Sequence, residues 1–396
     1  MDNDTPVGQR IAYYRHQREL SQAELAQLVG RSASWLQKVE YGERVVENIR
    51  VLQLLANVLK VSLWDLMPTL GLPPNGGTPL DAPKGMRELT RVVSVNQPPD
   101  REPPTGGQLQ GAVAEARRLN AGGFYDALAI VLPSMIEDAR VAVAQRDADS
   151  WWTLSLLYQV ASDFACTFRE FPLALLAAER AISAADQADD ELLLRMGQCL
   201  LASVWLAEGW TDAAASLCSN AVDGLGPDGA SSPDMWSICG LLNLNAAVAS
   251  ARTNDASGAR GFLEDARAAT EHVTPAAGRY WARIGVANVG AHEVSVALEL
   301  EEDPHAALVL AGRVDVSELQ TPARRAGFCI YPARAHSLRG NDDAMVIALR
   351  EATRHSLQTV RYSVQARELV QVGLRRQKPC RVPGLNELAE ELSVAV

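Results

Sequence analysis

Histidine and cysteine, the usual material of metal and nucleophilic sites, are scarce here, at six of each in 396 residues. No two cysteines stand as C-x-x-C. Five of them (Cys166, Cys199, Cys218, Cys239 and Cys329; the sixth is Cys380) sit inside apolar helical patterns, which marks them as small buried hydrophobes. No apolar run approaches the roughly 18 residues a membrane helix needs. The start, Met1-Asp2-Asn3-Asp4, is acidic and unlike a signal peptide. A soluble, cytoplasmic chain with no membrane partner is therefore expected. Phosphate-binding loops, G-x-S-x-G and H-E-x-x-H are also missing, and His292-Glu293 lacks a second histidine four residues on. Neither an enzyme, a metal site nor a cofactor is expected.

A basic surplus is missing too. The net charge is −11, but it is unevenly placed: residues 1–70 and 71–105 are each neutral, so the whole deficit lies beyond residue 105. An acidic region repels phosphates, so any contact with nucleic acid falls to the first part of the chain. The length itself calls for at least two domains.

What is present begins with residues 21–42. Ser21, with Glu24 three residues on, forms a capping box before the apolar positions Leu25, Ala26, Leu28 and Val29. Gly30 supplies a left-handed C-cap. Ser32 opens a second helix, with Leu36 and Val39 inward and Gln37, Lys38 and Glu40 outward. Helix 1, from about Pro6 to Arg18, carries Ile11 and Tyr14 inward and Arg10, Arg15 and Arg18 outward. Two short helices around a glycine turn form a helix-turn-helix, whose second helix enters the DNA major groove.

Residues 7–67 resemble the Cro/C1-type (XRE) helix-turn-helix domain. The resemblance rests on Ser21-Gln22-x-Glu24-Leu25-Ala26, Gly30-x-Ser32, Leu36-x-Lys38-Val39-Glu40-x-Gly42 and the leucine pattern from Leu52 to Leu66. It implies five helices, the fourth over about 48–60 and the fifth over about 62–67. With the recognition helix starting at Ser32, Ala33, Ser34, Gln37 and Lys38 are best placed for base edges. The resemblance puts Gln22 on a phosphate, with Arg10, Arg31 and Arg44 as further phosphate clamps. The plain alternative for each arginine is a solvated surface charge. Trp35 reads as core.

Residues 70–107 read as a linker, since nine of the 20 prolines fall within 68–107. A more apolar piece, 86–95, could dock on either side. From 108 to 396 the chain is helical and repeats. Breaks before or at Ala127, Ala174, Ala213, Ala256, Ala306 and Ala344 recur at intervals of 47, 39, 43, 50 and 38 residues. Such periods mean stacked helical hairpins, a solenoid. A small residue opening each second helix would let the two helices approach closely, and the last segment, from about 360, would cap the array. Trp151-x-x-Leu154-Ser155-x-x-Tyr158 resembles the tetratricopeptide repeat. The whole is thus expected to be all-α, a five-helix helix-turn-helix domain (1–69) plus an α-solenoid of tetratricopeptide-like hairpins.

The first helix of each hairpin would line a concave groove. Its register points inward Trp152, Leu156, Gln159 and Asp163, then Arg195 and Trp205, Leu241 and Asn245, Trp281, Ile284 and Asn288, and Cys329 and His336. Tryptophans with a few placed polar groups suit a ligand groove, and asparagine can grip a peptide backbone. The plain alternative is packing between repeats. An XRE domain before such an array resembles the RRNPP peptide-sensing regulators. That resemblance implies a homodimeric transcriptional regulator that binds a double-stranded DNA operator and a small-molecule or peptide effector, as in quorum sensing. The rival reading makes the array a protein-interaction scaffold with no small ligand, and a remoter one makes the chain an antitoxin-like autorepressor.

Overall fold

The computed structural model describes residues 6–18, 20–42, 51, 55, 58–59, 61, 66, 82–95, 97–145, 149–228, 231–273, 278–280, 282–300, 303–376 and 382–394. All regular structure among them is helical. Two compact units divide the chain, Met1–Pro79 and Leu80–Val396. Most of the helices expected over 48–60 and 62–67, together with Arg44, Trp281 and Cys380, lie outside the described residues.

The first unit holds α1 (Val7–Gln17), α2 (Gln22–Leu28) and α3 (Ala33–Glu40). The Ser21–Glu24 capping box forms, Ser32 caps α3 through the Trp35 N–H, and Gly30 takes a left-handed φ of 66°. Ile11, Leu25, Leu36, Val39, Leu55, Leu59 and Leu66 build the core, and Trp35 joins it. A Cβ on Gly8 would stand 1.9 Å from the Val39 carbonyl oxygen, so only glycine lets α1 lie this close to α3.

Several outward assignments are corrected. Arg15 and Glu40 are buried and paired at 2.6 Å. Gly8, Ile11 and Arg15 share one stripe of α1, so Arg15 faces α3, where Glu40 neutralises it. Arg10 is only 4% exposed, because it lies between the core-packing Val7 and Tyr14 on one helical face. Leu28, in contrast, is exposed although it follows Leu25 by three residues, because it stands near the end of α2.

The second unit opens with α4 (Met86–Ser94), whose Met86, Leu89, Val92 and Val93 are buried. Arg140 fastens its end, donating to the Val95 carbonyl at 2.6 Å and to the Tyr158 hydroxyl at 2.6 and 2.8 Å. Six hairpins follow: α5 (Gly106–Gly122) with α6 (Tyr125–Ala144), α7 (Ser150–Thr167) with α8 (Phe171–Gln187), and α9 (Glu191–Glu208) with α10 (Thr211–Leu225). Next come α11 (Pro233–Arg252) with α12 (Ala256–Thr270), α13 (Val286–Glu299) with α14 (Pro304–Ala311), and α15 (Pro322–Leu338) with α16 (Asp342–His355). Then α17 (Leu357–Tyr362), α18 (Val364–Arg376) and α19 (Leu385–Glu391) pack on the sixth hairpin, α18 and α19 against each other. The helix breaks fall where the aligned alanines put them. The close approach is made at the aligned alanine in the second hairpin, where Ala174 is fully buried and its carbonyl accepts from Ser162; elsewhere it shifts, since Ala127 and Ala213 are exposed while Ala129, Ala214, Ala259 and Ala307 are buried one or more residues further on.

The odd-numbered helices form an inner layer in which α5, α7, α9, α11, α13 and α15 each pack on the next, and α15 packs back on α5. The array is therefore a closed ring. At the seam the first hairpin turn meets α17. The Asp126 N–H donates to Gln358 Oε1 at 3.2 Å, and Asp126 accepts from Gln358 Nε2 at 3.0 Å and the Tyr362 hydroxyl at 3.2 Å. Tyr125, Phe164, Phe168 and Tyr362 form one aromatic cluster across it, the tightest pair being Phe168–Tyr362 at 4.5 Å. Gly123, at φ 71°, would place a Cβ 2.2 Å from Ser356 Oγ, so the turn fits only without a side chain.

Candidate functional site

On α3 the burial pattern sorts the candidates. Trp35, Leu36, Val39 and Glu40 face the core, while Ser32, Ala33, Ser34, Gln37 and Lys38 share the exposed side with Tyr41, 72% exposed. Tyr41 was not among the expected contacts, since a tyrosine beside a C-cap gives no sequence signal of its own. Arg31 lies at the edge of this face with its guanidinium 5.6 Å from the Trp35 ring centroid. Gln22 points inward in part: its Nε2 donates to Glu40 Oε2 at 2.7 Å. The buried Glu40 thus ties α1, α2 and α3 together and sets the angle at which α3 is presented. Arg10, being buried, stands behind this face rather than on it.

In the ring, the expected groove residues divide. Leu156 is fully buried in the core between layers, not on the lumen. Arg195 turns toward its own hairpin, donating to Gln198 and Glu191 and lying where a Cβ on Gly224 of α10 would meet it. Trp205 packs with Trp210 at 6.4 Å. Asn245 donates to the Cys199 carbonyl at 2.9 Å and to Ser203 Oγ at 3.0 Å, clasping α11 to α9. These are packing roles. Asn245→Ala is expected to lower stability by about 1–2 kcal/mol, read as a lower urea midpoint with an unchanged slope.

The others lie on the odd-numbered helices of the ring. Trp152 is half-buried, with Arg279 5.1 Å from its ring centroid. Gln159, 4% exposed, accepts from Arg117 at 3.3 Å, while its Nε2 has no partner among the described residues. Asn288, 5% exposed, leaves Oδ1 similarly unmatched, and its carbonyl accepts from His292 Nδ1 at 2.8 Å. His336 is half-buried with Nδ1 unmatched, and burial lowers its pKa.

Around these lies a cluster of charges. Asp163 is exposed and accepts from Asn120 at 2.6 Å. Burial lowers the pKa of Arg117 to about 10, with the Asp163 charge opposing the shift. Arg324 on α15 is exposed to water, yet the protein around it lowers its pKa, with Asp163 and Cys199 opposing and Arg283 adding. Asp163 and Cys199, which act on Arg324, lie on α7 and α9, while its own helix packs on α13 and α5. Burial lowers the His292 pKa, with the bond to the Asn288 carbonyl opposing and the Arg324 charge adding. The cysteines are inert there: burial raises Cys199 to about 12. Arg117 and Arg324 escape an alanine-based register, because an arginine reaches a lumen from a flank position closed to a short side chain.

Among the described residues no group of three or more His, Cys, Asp or Glu could hold a metal ion, and no helix is long and apolar enough to cross a membrane. An open cleft of about 520 Å3 lies elsewhere, between α12, α13 and the stretch after α14.

Comparison with known proteins agrees with the first unit. No curated protein matches the chain. Among solved structures, PlcR of Bacillus thuringiensis in complex with the peptide PapR7 and DNA overlaps 84% of this chain and 97% of its own, at 11% identity and a TM-score of 0.31. The apo form of ComR from S. thermophilus overlaps 85% and 98%, at 12% identity and a TM-score of 0.22. The ring and its lumen therefore rest on this chain's own packing. A helix-turn-helix domain profile matches residues 6–66, so the first unit holds a helix-turn-helix domain.

Proposed function

We propose that this chain is a sequence-specific transcriptional regulator of the XRE type, acting as a homodimer. The first unit reads an operator with α3, and the ring, built of tetratricopeptide-like hairpins, holds a small-molecule or peptide effector that controls operator binding. The observation that carries the reading is the exposed row Ala33, Ser34, Gln37 and Lys38 on a helix whose opposite side is sealed. Gln37 suits adenine or a phosphate, and Lys38 suits the acceptors of guanine. Arg31, and Arg44 beyond the described residues, are the phosphate clamps.

The first unit carries no net positive charge over residues 1–70, so a single copy has little electrostatic hold on DNA. Two copies on a pseudo-palindrome, with half-sites about one helical turn apart, supply what one lacks. Footprinting on the promoter of the chain's own gene, with and without culture extract, tests the reading. The native chain should protect two half-sites, and extract should change the protection. Gln37→Ala with Lys38→Ala should weaken specific binding about 30-fold or more, from the roughly 1–3 kcal/mol of each of the two base contacts, and leave non-specific binding nearly intact. An unchanged footprint from the double variant would count against α3 as the reader.

A further inference from the structure

We infer that the lumen of the ring binds the anionic group of a ligand, a carboxylate or phosphate, between Arg324 and Arg117, with Asp163 as the resident counter-charge. The inference rests on the proposal that the ring holds an effector, and names the chemistry it must carry.

The first ground is charge reversal. The chain beyond residue 105 carries the whole net charge of −11, yet the groups that meet in its interior are mostly basic. The Asp163 charge acts on both Arg117 and Arg324, Arg283 acts on Arg324 as well, and burial lowers the His292 pKa and raises that of the Cys199 thiol. An acidic shell does not concentrate arginines in its lumen for solubility, since its outer surface is already charged. The second ground is Arg324 itself. Its guanidinium donates no hydrogen bond to any described residue, although guanidinium carries five N–H donors in a fork suited to a planar anion. The third is Gln159, nine-tenths buried beside Arg117 with an N–H2 group lacking a partner among the described residues. A buried amide donor next to an arginine adds a neutral hydrogen bond to whatever the arginine holds. Asp163 acts electrostatically on both arginines and is anchored by Asn120, so it balances their charge when no ligand is present. An entering anion competes with it.

The position also matters. Arg117 stands on α5 and Arg324 on α15, the two inner helices that meet to close the ring. An anion bridging them ties the first hairpin to the sixth across the seam.

The test uses the full chain, with citrate and inorganic phosphate as probes and sodium chloride matching the ionic strength. Binding is followed by calorimetry and by thermal unfolding. The native chain should bind at least one probe, and which one separates carboxylate from phosphate chemistry. Arg324→Met should weaken that binding about tenfold or more, Arg324→Lys less, and Asp163→Asn should tighten it several-fold. Circular dichroism and an unchanged unfolding temperature without probe show that Arg324→Met is folded; if it is not, Asp163→Asn alone decides by the sign of its effect. Equal binding by the native chain and Arg324→Met, no binding of either probe, or weaker binding by Asp163→Asn would each overturn the inference. A neutral effector that still altered the footprint would overturn it too, while leaving the regulator reading in place.

Discussion

Glu40→Ala should destabilise the first unit by about 3–5 kcal/mol, the usual cost of stranding one member of a buried ion pair. Glu40 accepts from Arg15 at 2.6 and 2.9 Å and from Gln22 at 2.7 Å, so one truncation frees donors on α1 and α2 at once. The desolvated Arg15 guanidinium would keep only its bonds to the Leu20 carbonyl and to His16. Hydrogen exchange of the full chain would show the loss as a hundredfold or greater drop in protection of the peptides covering 7–18 and 33–42, with 150–167 unchanged. Arg15→Met with Glu40→Leu should recover most of it, since an apolar pair of similar volume avoids desolvating two charges. Native protection in Glu40→Ala would mean that the pair does not brace α3.

The second large effect belongs to the seam. Tyr362→Ala removes the 4.5 Å contact with Phe168, the edge contact with Tyr125 and the hydroxyl bond to Asp126. An aromatic pair contributes about 0.5–1.5 kcal/mol beyond its burial, and a hydrogen bond to a charged group about 1.5–3. Closure should therefore lose roughly 2–5 kcal/mol. Small-angle scattering should show a larger radius of gyration, and exchange should rise in 122–126 and 356–362 but not in the central hairpins. Seam exchange equal to the native chain would mean that the ring is held shut by something other than this cluster.

Much of this architecture was legible in the sequence because helix ends have local chemistry. Glycine at 123 and 209, asparagine at 254 and 341 and proline at 172 and 304 stop or start helices by their own backbone preferences. Six hairpins could therefore be counted before any packing was known. Closure could not. It depends on a small rotation added at each repeat, and no single residue reports that sum. The Arg15–Glu40 pair was hidden for a related reason: charged residues read as outward until a partner 25 positions away is shown to meet them. The α3 face was readable because its helix has one sealed side. The lumen was readable only in part, since Gln159, Asn288 and Asp163 lie in the alanine register while Arg117 and Arg324 enter from its flanks. Asn245, taken as a ligand contact, proved to be a clasp, because an asparagine between two inner helices finds a free carbonyl and hydroxyl there.

The proposed control of operator binding by the ring has a consequence that needs no knowledge of the effector. Coupling between sites is reciprocal, so if the ring alters DNA binding, DNA must alter the ring. Hydrogen exchange of the full chain, with and without a saturating operator found by footprinting, measures this directly. A change in protection is expected at the seam, in 122–126 and 356–362, beyond any change in residues 7–42. Identical exchange throughout 82–394 with and without operator would contradict it.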